Sequence, residues 1–169
     1  MITLETLNHV SEAQFLELTG GTLEGELWLA ERVVAHRPFA DVAAIISAFE
    51  TVITAASQDE KIRLIASHPD LGVKVKQNLS AASVSEQAAA GLDQLTQTEF
   101  DTFQSLNTQY RERFGFPFVI CARENSKDSI LAAFQQRLSN PIAQEIEIGV
   151  SEIVKIIRLR LLDIVQTPE

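Results

Sequence analysis

The chain has 169 residues, of which 46% are hydrophobic and 22% are charged, a balance typical of one soluble globular domain with a sizeable core. Its formal charge of −9 argues against nucleic acid or an anionic membrane as the main partner, since both require a cationic surface. The single cysteine, the lack of a secretory signal and the lack of an apolar stretch long enough to span a bilayer predict a cytoplasmic protein.

Helix-start signals recur along the chain, whereas strand signals are nearly absent. Three of the starts have the spacing of a capping box, in which the first residue and the fourth bond to each other's backbone; they are Ser57–Glu60, Ser83–Glu86 and Thr96–Glu99. In chain order, helices are predicted over Ser11–Gly20, about Gly25–Ala35, about Asp41–Ala56, Ser57–Ser67, from Ser83, Thr96 to about Arg113, Ser126–Leu138 and Pro141 to about Val165.

The stretch Phe118–Ala122 is the one candidate strand. It is short and has no partner of similar character, so we expect a buried extended segment or a helix start. The sequence therefore predicts an all-α protein, a single-domain bundle of about eight or nine helices over residues 1–169.

His68 precedes a proline, which disfavours the helical conformation for the residue before it. We therefore expect His68 at the C-terminal end of the preceding helix, where the helix dipole favours imidazolium. Such a histidine could simply cap the helix, or it could act as a general acid near neutral pH. Three dispersed histidines and one cysteine give no metal-ligand spacing, so no metal site is predicted.

The segment from Ser83 to Gln87 also admits two interpretations. Ser83 and Glu86 could form only a capping box. Alternatively, this helix start could receive an anionic or carbonyl-bearing ligand, with the Gln87 amide able to donate and accept hydrogen bonds.

Arg160 lies on the apolar stripe of the last predicted helix, whereas Arg158 lies outside it. The apolar members of that stripe are Ile142, Ile146, Val150, Ile153, Ile157 and Ile164. Because an arginine on a core-facing stripe is costly unless it is paired or solvated, Arg160 either extends its charge to solvent or grips a carboxylate in a cleft.

The run Phe114–Arg123 would by itself be core, although its main-chain groups could also hold the polar edge of a flat heterocycle. Together with the features above, it belongs to an ordered series of motifs from about residue 7 to residue 163. This series resembles the 2-oxo-4-hydroxy-4-carboxy-5-ureidoimidazoline (OHCU) decarboxylase family. The matching segments are Trp28–Glu31, Arg37–Phe39, His68–Leu71, Ser83 with Glu86 and Gln87, Ala90–Leu92, Leu106–Asn107, Tyr110, Arg113–Phe118, Ile120–Arg123, Glu152–Ile156 and Arg160–Leu161.

The resemblance implies a helical, usually homodimeric enzyme that decarboxylates the ureidoimidazoline to S-allantoin in uric acid breakdown, without cofactor or metal. It implies His68 as the proton donor and Glu86 as the catalytic carboxylate. The substrate contacts that it implies are Pro69, Ser83, Val84, Ser85, Glu86, Gln87, Phe118, Val119, Ile120, Cys121, Ala122 and Arg160.

Two other functions stay open at this point. One is a catalytically inactive helical module that binds a metabolite or a partner protein, and the other is a His/Glu hydrolase of a related ureide. Freshly generated intermediate separates them, because the decarboxylase yields CO2 and optically active allantoin, the hydrolase yields a ring-opened acid, and the module yields neither.

Overall fold

The computed structural model of this protein describes residues 1–73 and 79–166, and within these ranges the secondary structure is helical. The prediction of an all-α fold is therefore confirmed. Nine α-helices and two 3-10 turns lie in the described ranges: α1 (Leu4–His9), α2 (Glu12–Gly20), α3 (Trp28–Val33), the turn Val34–His36, α4 (Val42–Thr54), α5 (Gln58–Ala66), α6 (Ala81–Ala89), α7 (Gln97–Phe114), the turn Ala122–Glu124, α8 (Lys127–Arg137) and α9 (Ile142–Ile164).

Several helices begin at capping residues that can be recognised in the sequence. Ser11 forms a capping box at the start of α2, and Thr96 forms one with Glu99 at the start of α7. The side chains of Asp41 and Ser126 cap α4 and α8 in the same way, by accepting a backbone N–H of the first turn.

The N-terminal part of the chain differs from the prediction at α3 and α1. Helix α3 begins at Trp28 and not near Gly25, because Glu24 and Gly25 have φ angles of 49° and 87° and so form a left-handed turn that no α-helix can include. Helix α1 was not predicted, and it is capped by the Thr3 side chain, which accepts the N–H of Thr6 at 3.1 Å.

The chain separates into two compact units, and the first comprises residues 1–57 and 154–166 of the described chain. In this unit α3 packs on α2 and α4, and its core includes the fully buried Phe15, Leu29 and Ile45. Ile2 and Val165 form an isolated parallel β-bridge that ties the two chain segments of the unit together.

The second unit comprises residues 58–153. Its core is an aromatic cluster around Tyr110, which makes edge contacts with the rings of Phe116, Phe118 and Phe134. The rings of Phe118 and Phe134 stack with their centroids 3.7 Å apart. The predicted burial of the apolar run is confirmed, because Phe116 and the residues Phe118–Ala122 are at most 8% exposed.

The described helices include none that is both long enough and apolar enough to cross a membrane.

Candidate functional site

His68 lies just beyond the C-terminus of α5, as predicted, and is 7% exposed. Its backbone N–H donates to the carbonyl of Ile65 at 3.1 Å, which continues the last helical turn. Its ring Nδ1 lies 3.0 Å from the carbonyl oxygen of Leu64. Because a carbonyl oxygen can only accept, Nδ1 carries a proton, and Nε2 is the ring nitrogen whose proton can be gained or given to a ligand.

The loop after His68 is fixed by side chains from two helices. The Gln87 amide of α6 accepts the Gly72 N–H at 3.1 Å and donates to the carbonyl of Asp70 at 3.3 Å. From α7, Asn107 donates to the Leu71 carbonyl at 2.9 Å, and Arg111 donates to the Asp70 carboxylate at 2.9 Å. Three side chains therefore hold the loop, which keeps the backbone next to His68 in place.

Gly72 is needed for the shape of this loop. Its φ of 69° lies in the left-handed region, and an added Cβ would come within 3.1 Å of the Phe103 ring and of Leu95. A larger residue here would be both strained and crowded, so the turn depends on glycine.

The predicted capping box at Ser83 is wrong. Helix α6 begins at Ala81, and Ser80 is its cap, since the Ser80 hydroxyl accepts the Ser83 N–H at 3.1 Å. Ser80 and Ser83 are both plausible caps by residue type, and the structure uses the earlier one. The N–H of Val84 then donates within the helix to the Ser80 carbonyl at 3.0 Å.

This correction removes one interpretation of the segment Ser83–Gln87. Its backbone N–H groups are not an open helix start, because they are used inside the helix or by the cap. Among the side chains of this segment, Ser83 and Gln87 are buried, Val84 and Glu86 are half-buried, and Ser85 is exposed.

Glu86 therefore lies in the second turn of α6 and not in the first. Helix α6 packs against the turn Ala122–Glu124, which brings Glu86 near the predicted substrate segment. Burial raises the pKa of the Cys121 thiol, and the negative charges of Glu124, Glu152 and Glu86 raise it further.

The segment Phe118–Ala122 is buried, as predicted; Phe118–Cys121 lie outside any helix, and Ala122 begins the turn Ala122–Glu124. Arg137 Nη1 donates to the carbonyl of Val119 at 2.8 Å. The N–H of Cys121 donates to the Glu152 carboxylate at 2.8 Å, and the Cys121 carbonyl accepts from the Asn125 amide at 3.0 Å. Side chains, and not a neighbouring strand, therefore form these hydrogen bonds with the main chain of this short segment.

Arg160 belongs to the first unit and is 4% exposed, whereas Arg158 is exposed. The helical periodicity of the sequence thus placed Arg160 on the buried side and Arg158 on the exposed side correctly. Ile142, at the start of the same apolar stripe, is nevertheless 51% exposed. Arg160 Nη2 pairs with the Glu24 carboxylate at 2.8 Å, and both side chains are at most 7% exposed. This arginine does not reach for solvent; it forms a buried ion pair.

A cavity of about 220 Å³ lies on the side of α6 that carries Val84 and Gln87. Its described lining also includes Gly72, Leu92 and Phe100, but neither His68 nor Glu86. Within the described ranges, no group of three histidine, cysteine, aspartate or glutamate side chains could hold a metal ion.

Three side chains that bond to the predicted site residues were not identified from the sequence. Glu24 pairs with Arg160, Glu152 accepts from Cys121, and Arg137 donates to Val119. The segment Glu152–Ile156 was among the matching motifs, so only its role was lacking. Glu24 and Arg137 gave no local signal, because their partners are distant in the chain.

Pro69 follows His68 and is half-buried at the edge of the same loop. The second unit thus brings together the His68 loop, the polar face of α6 and the segment Phe118–Ala122. The fold and the site define a small all-α enzyme with a buried histidine and a half-buried carboxylate.

The comparisons with known proteins agree with this class. The family model described as OHCU decarboxylase matches residues 8–162. The chain is 37% identical over 160 residues to a 2-oxo-4-hydroxy-4-carboxy-5-ureidoimidazoline decarboxylase of Haloferax volcanii, covering 95% of this chain and 94% of the relative. It is 41% identical over 170 residues to the protein of the same description in Amia calva, covering 98% of this chain and 95% of the relative.

This protein belongs to the OHCU decarboxylase family. Among solved structures it is similar to that of (S)-allantoin synthase, with a TM-score of 0.78 and 27% sequence identity. The match covers 98% of this chain but 54% of the solved chain, so this protein spans about half of that structure's length.

Proposed function

We propose that this protein decarboxylates 2-oxo-4-hydroxy-4-carboxy-5-ureidoimidazoline to S-allantoin in uric acid degradation. The observation that carries the proposal is the buried His68, whose Nδ1 is engaged by the Leu64 carbonyl so that Nε2 is the proton-exchanging atom. The relatives described as decarboxylases of this substrate and the similarity to (S)-allantoin synthase support it.

The reaction needs an acceptor for one electron pair and a donor of one proton. As the bond between the ring carbon and the carboxylate breaks, CO2 leaves and its bonding electrons move into the ring towards the C=N bond. A proton is then added to the ring carbon that becomes the stereocentre of S-allantoin. The substrate thus supplies its own electron sink, and the protein's task is to orient the carboxylate and to protonate one face.

Each proposed residue has a role that fits its chemistry. His68 is the general acid that gives its Nε2 proton to one face of the ring. Glu86 accepts a hydrogen bond from the substrate's hydroxyl or ureido group. Arg160 holds an anionic or carbonyl part of the substrate through its planar fork. The loop and helix residues Pro69, Ser83, Val84, Ser85 and Gln87 and the segment Phe118–Ala122 form the remaining contacts.

The ion pair between Arg160 and Glu24 is compatible with a substrate contact by Arg160. A guanidinium has five N–H donors, so Arg160 can keep its bond to Glu24 and still donate to a substrate. Glu24 then orients the guanidinium. We further propose that residues 1–169 act as one domain and that the protein is a cytoplasmic homodimer.

The test is turnover of freshly generated substrate, followed by CO2 release and by the optical activity of the product. The wild-type protein should accelerate both, and His68→Asn should abolish the acceleration while leaving helix content unchanged. Release of a ring-opened acid without CO2 would identify a hydrolase instead, and no acceleration at all would identify a binding module.

His9 supplies a matched control. It also ends a helix with Nδ1 against the carbonyl four residues earlier, 2.8 Å from the Glu5 oxygen, but it is exposed. His9→Asn removes the same local contact outside the proposed site and should leave turnover unchanged. If His68→Asn retains more than a tenth of wild-type turnover, His68 is not the acid.

A further inference from the structure

Two charged side chains hold the main chain of the segment Phe118–Ala122. Arg137 Nη1 donates to the Val119 carbonyl, and the Glu152 carboxylate accepts from the Cys121 N–H, both at 2.8 Å. Ile120 lies between these two residues, so the direction of its own N–H and C=O is set by the groups held on either side of it.

Arg137 is itself held rigidly. It is 7% exposed, and its Nε donates to the Glu145 carboxylate at 2.9 Å. Glu145 is fully buried and accepts two further hydrogen bonds, from the Tyr110 hydroxyl and, at 2.8 Å, from the Asn140 amide. The guanidinium also lies over the Phe118 ring, 4.2 Å from its centroid.

A buried ion pair of this kind is weak evidence for stability, because desolvation offsets much of the attraction. Instead, the ion pair fixes the direction of the Arg137 guanidinium. Arg137 uses two different nitrogens at a set angle, one for Glu145 and one for the Val119 carbonyl. A lysine has a single nitrogen on a flexible stem and cannot reproduce this geometry.

We propose that Arg137 and Glu152 are positioning residues that fix the Phe118–Ala122 segment so that the N–H and C=O of Ile120, between the two held groups, bind the polar edge of the substrate ring. This inference rests on the proposed function. Neither residue touches the substrate; each acts through the main chain that it holds.

The chemistry of the substrate suits a fixed main-chain donor and acceptor. A ureidoimidazoline carries ring and ureido N–H donors beside carbonyl acceptors, and one main-chain residue offers a matching donor and acceptor. Two hydrogen bonds to a fixed residue orient a flat ring, and a small displacement of that residue weakens both. Since these bonds form in the bound substrate and persist through the reaction, their loss should raise KM more than it lowers kcat.

The first experiment compares Glu152→Ala with Glu152→Gln. The amide oxygen of glutamine can still accept the Cys121 N–H, whereas alanine cannot. Glu152→Ala should raise KM about five- to tenfold, the size expected for one poorly placed hydrogen bond, with kcat within twofold of wild type. Glu152→Gln should keep KM within twofold. Glu147→Ala is the control, because this exposed glutamate lies on the same helix and pairs with Lys61 rather than with the segment Phe118–Ala122.

The second experiment compares Arg137→Lys with Arg113→Lys. Arg113 makes the same kinds of contact, donating to the Asn140 carbonyl at 3.1 Å with its guanidinium 5.2 Å from the Phe114 ring, but it is exposed. Arg137→Lys should raise KM at least fivefold, and Arg113→Lys should leave it unchanged. The pH profile of kcat should be the same in all variants, since His68 and Glu86 are untouched.

A binding measurement completes the test, with (S)-allantoin as the probe. In ¹⁵N-labelled wild-type protein, the Ile120 amide resonance should shift on titration, and in Glu152→Ala the titration should need at least fivefold more allantoin. If Arg137→Lys fails to fold, the Glu152 variants decide the question.

The outcomes separate this inference from the proposed function. An active wild-type protein with equal KM values for Glu152→Ala and Glu152→Gln would overturn the positioning role and leave the function standing. An unshifted Ile120 amide would do the same. A wild-type protein that does not accelerate decarboxylation would overturn the function, and the positioning role with it.

Discussion

Replacing Arg160 by methionine separates its predicted binding role from its structural one. From the helical wheel alone, this change would remove a buried-facing charge and leave stability equal or raised. The structure reverses that expectation, because Arg160 and Glu24 form an ion pair at 2.8 Å with side chains only 5% and 7% exposed. Arg160 also donates to the Thr22 carbonyl at 3.4 Å.

The magnitude follows from the burial of the pair. Removing one partner of a buried ion pair leaves the other charge desolvated without its counterion, which typically costs ~3–5 kcal/mol. For a chain of this size, each kcal/mol lowers Tm by about 2–4 °C, so Arg160→Met should lower Tm by about 6–20 °C. Replacing Glu24 as well removes the buried charge, so Arg160→Met with Glu24→Gln should recover at least half of that loss.

Thermal unfolding followed by circular dichroism measures the effect. Arg158→Met is the matched control, since Arg158 lies two residues away on the exposed side of α9 and should change stability by less than ~0.5 kcal/mol. A Tm for Arg160→Met within 2 °C of wild type would refute the reasoning, as would a double variant less stable than the single one. Decarboxylation by Arg160→Met at the wild-type rate would remove Arg160 from the substrate contacts.

Three further predictions concern the second unit. Glu86→Gln should lower turnover at least tenfold with helix content retained, because the carboxylate lies beyond the capping turn of α6; equal turnover would leave Glu86 without a catalytic role. Gln87→Leu should lower the free energy of unfolding by ~1–3 kcal/mol in urea titrations, since it leaves the Gly72 N–H and the Asp70 carbonyl without their partner. Cys121 should stay unreactive towards a thiol reagent at pH 8 in the native protein and react fully in denaturant, because it is 1% exposed and its pKa is raised by burial; rapid native labelling would contradict this burial.

Much of the helical layout could be predicted because its determinants are local. The side chains of Ser11, Thr96 and Ser126 cap helices by bonding to residues three positions away. Gly115 ends α7 in the left-handed conformation, with φ of 79°. The local rule failed at α6, where Ser80 and Ser83 both qualify as caps and sequence spacing alone does not choose between them.

The sequence by itself determined the all-α class, the place of His68 at a helix end, the position of Arg160 on the apolar stripe of the last helix and the family resemblance, because these depend on neighbouring residues or on the order of motifs. Only the tertiary structure decided the partners. Glu24 reaches Arg160, Arg137 reaches the Val119 carbonyl, and Gln87 holds the loop after His68. Such contacts join residues far apart in the chain, and a buried charge gives no local sign of which distant group neutralises it.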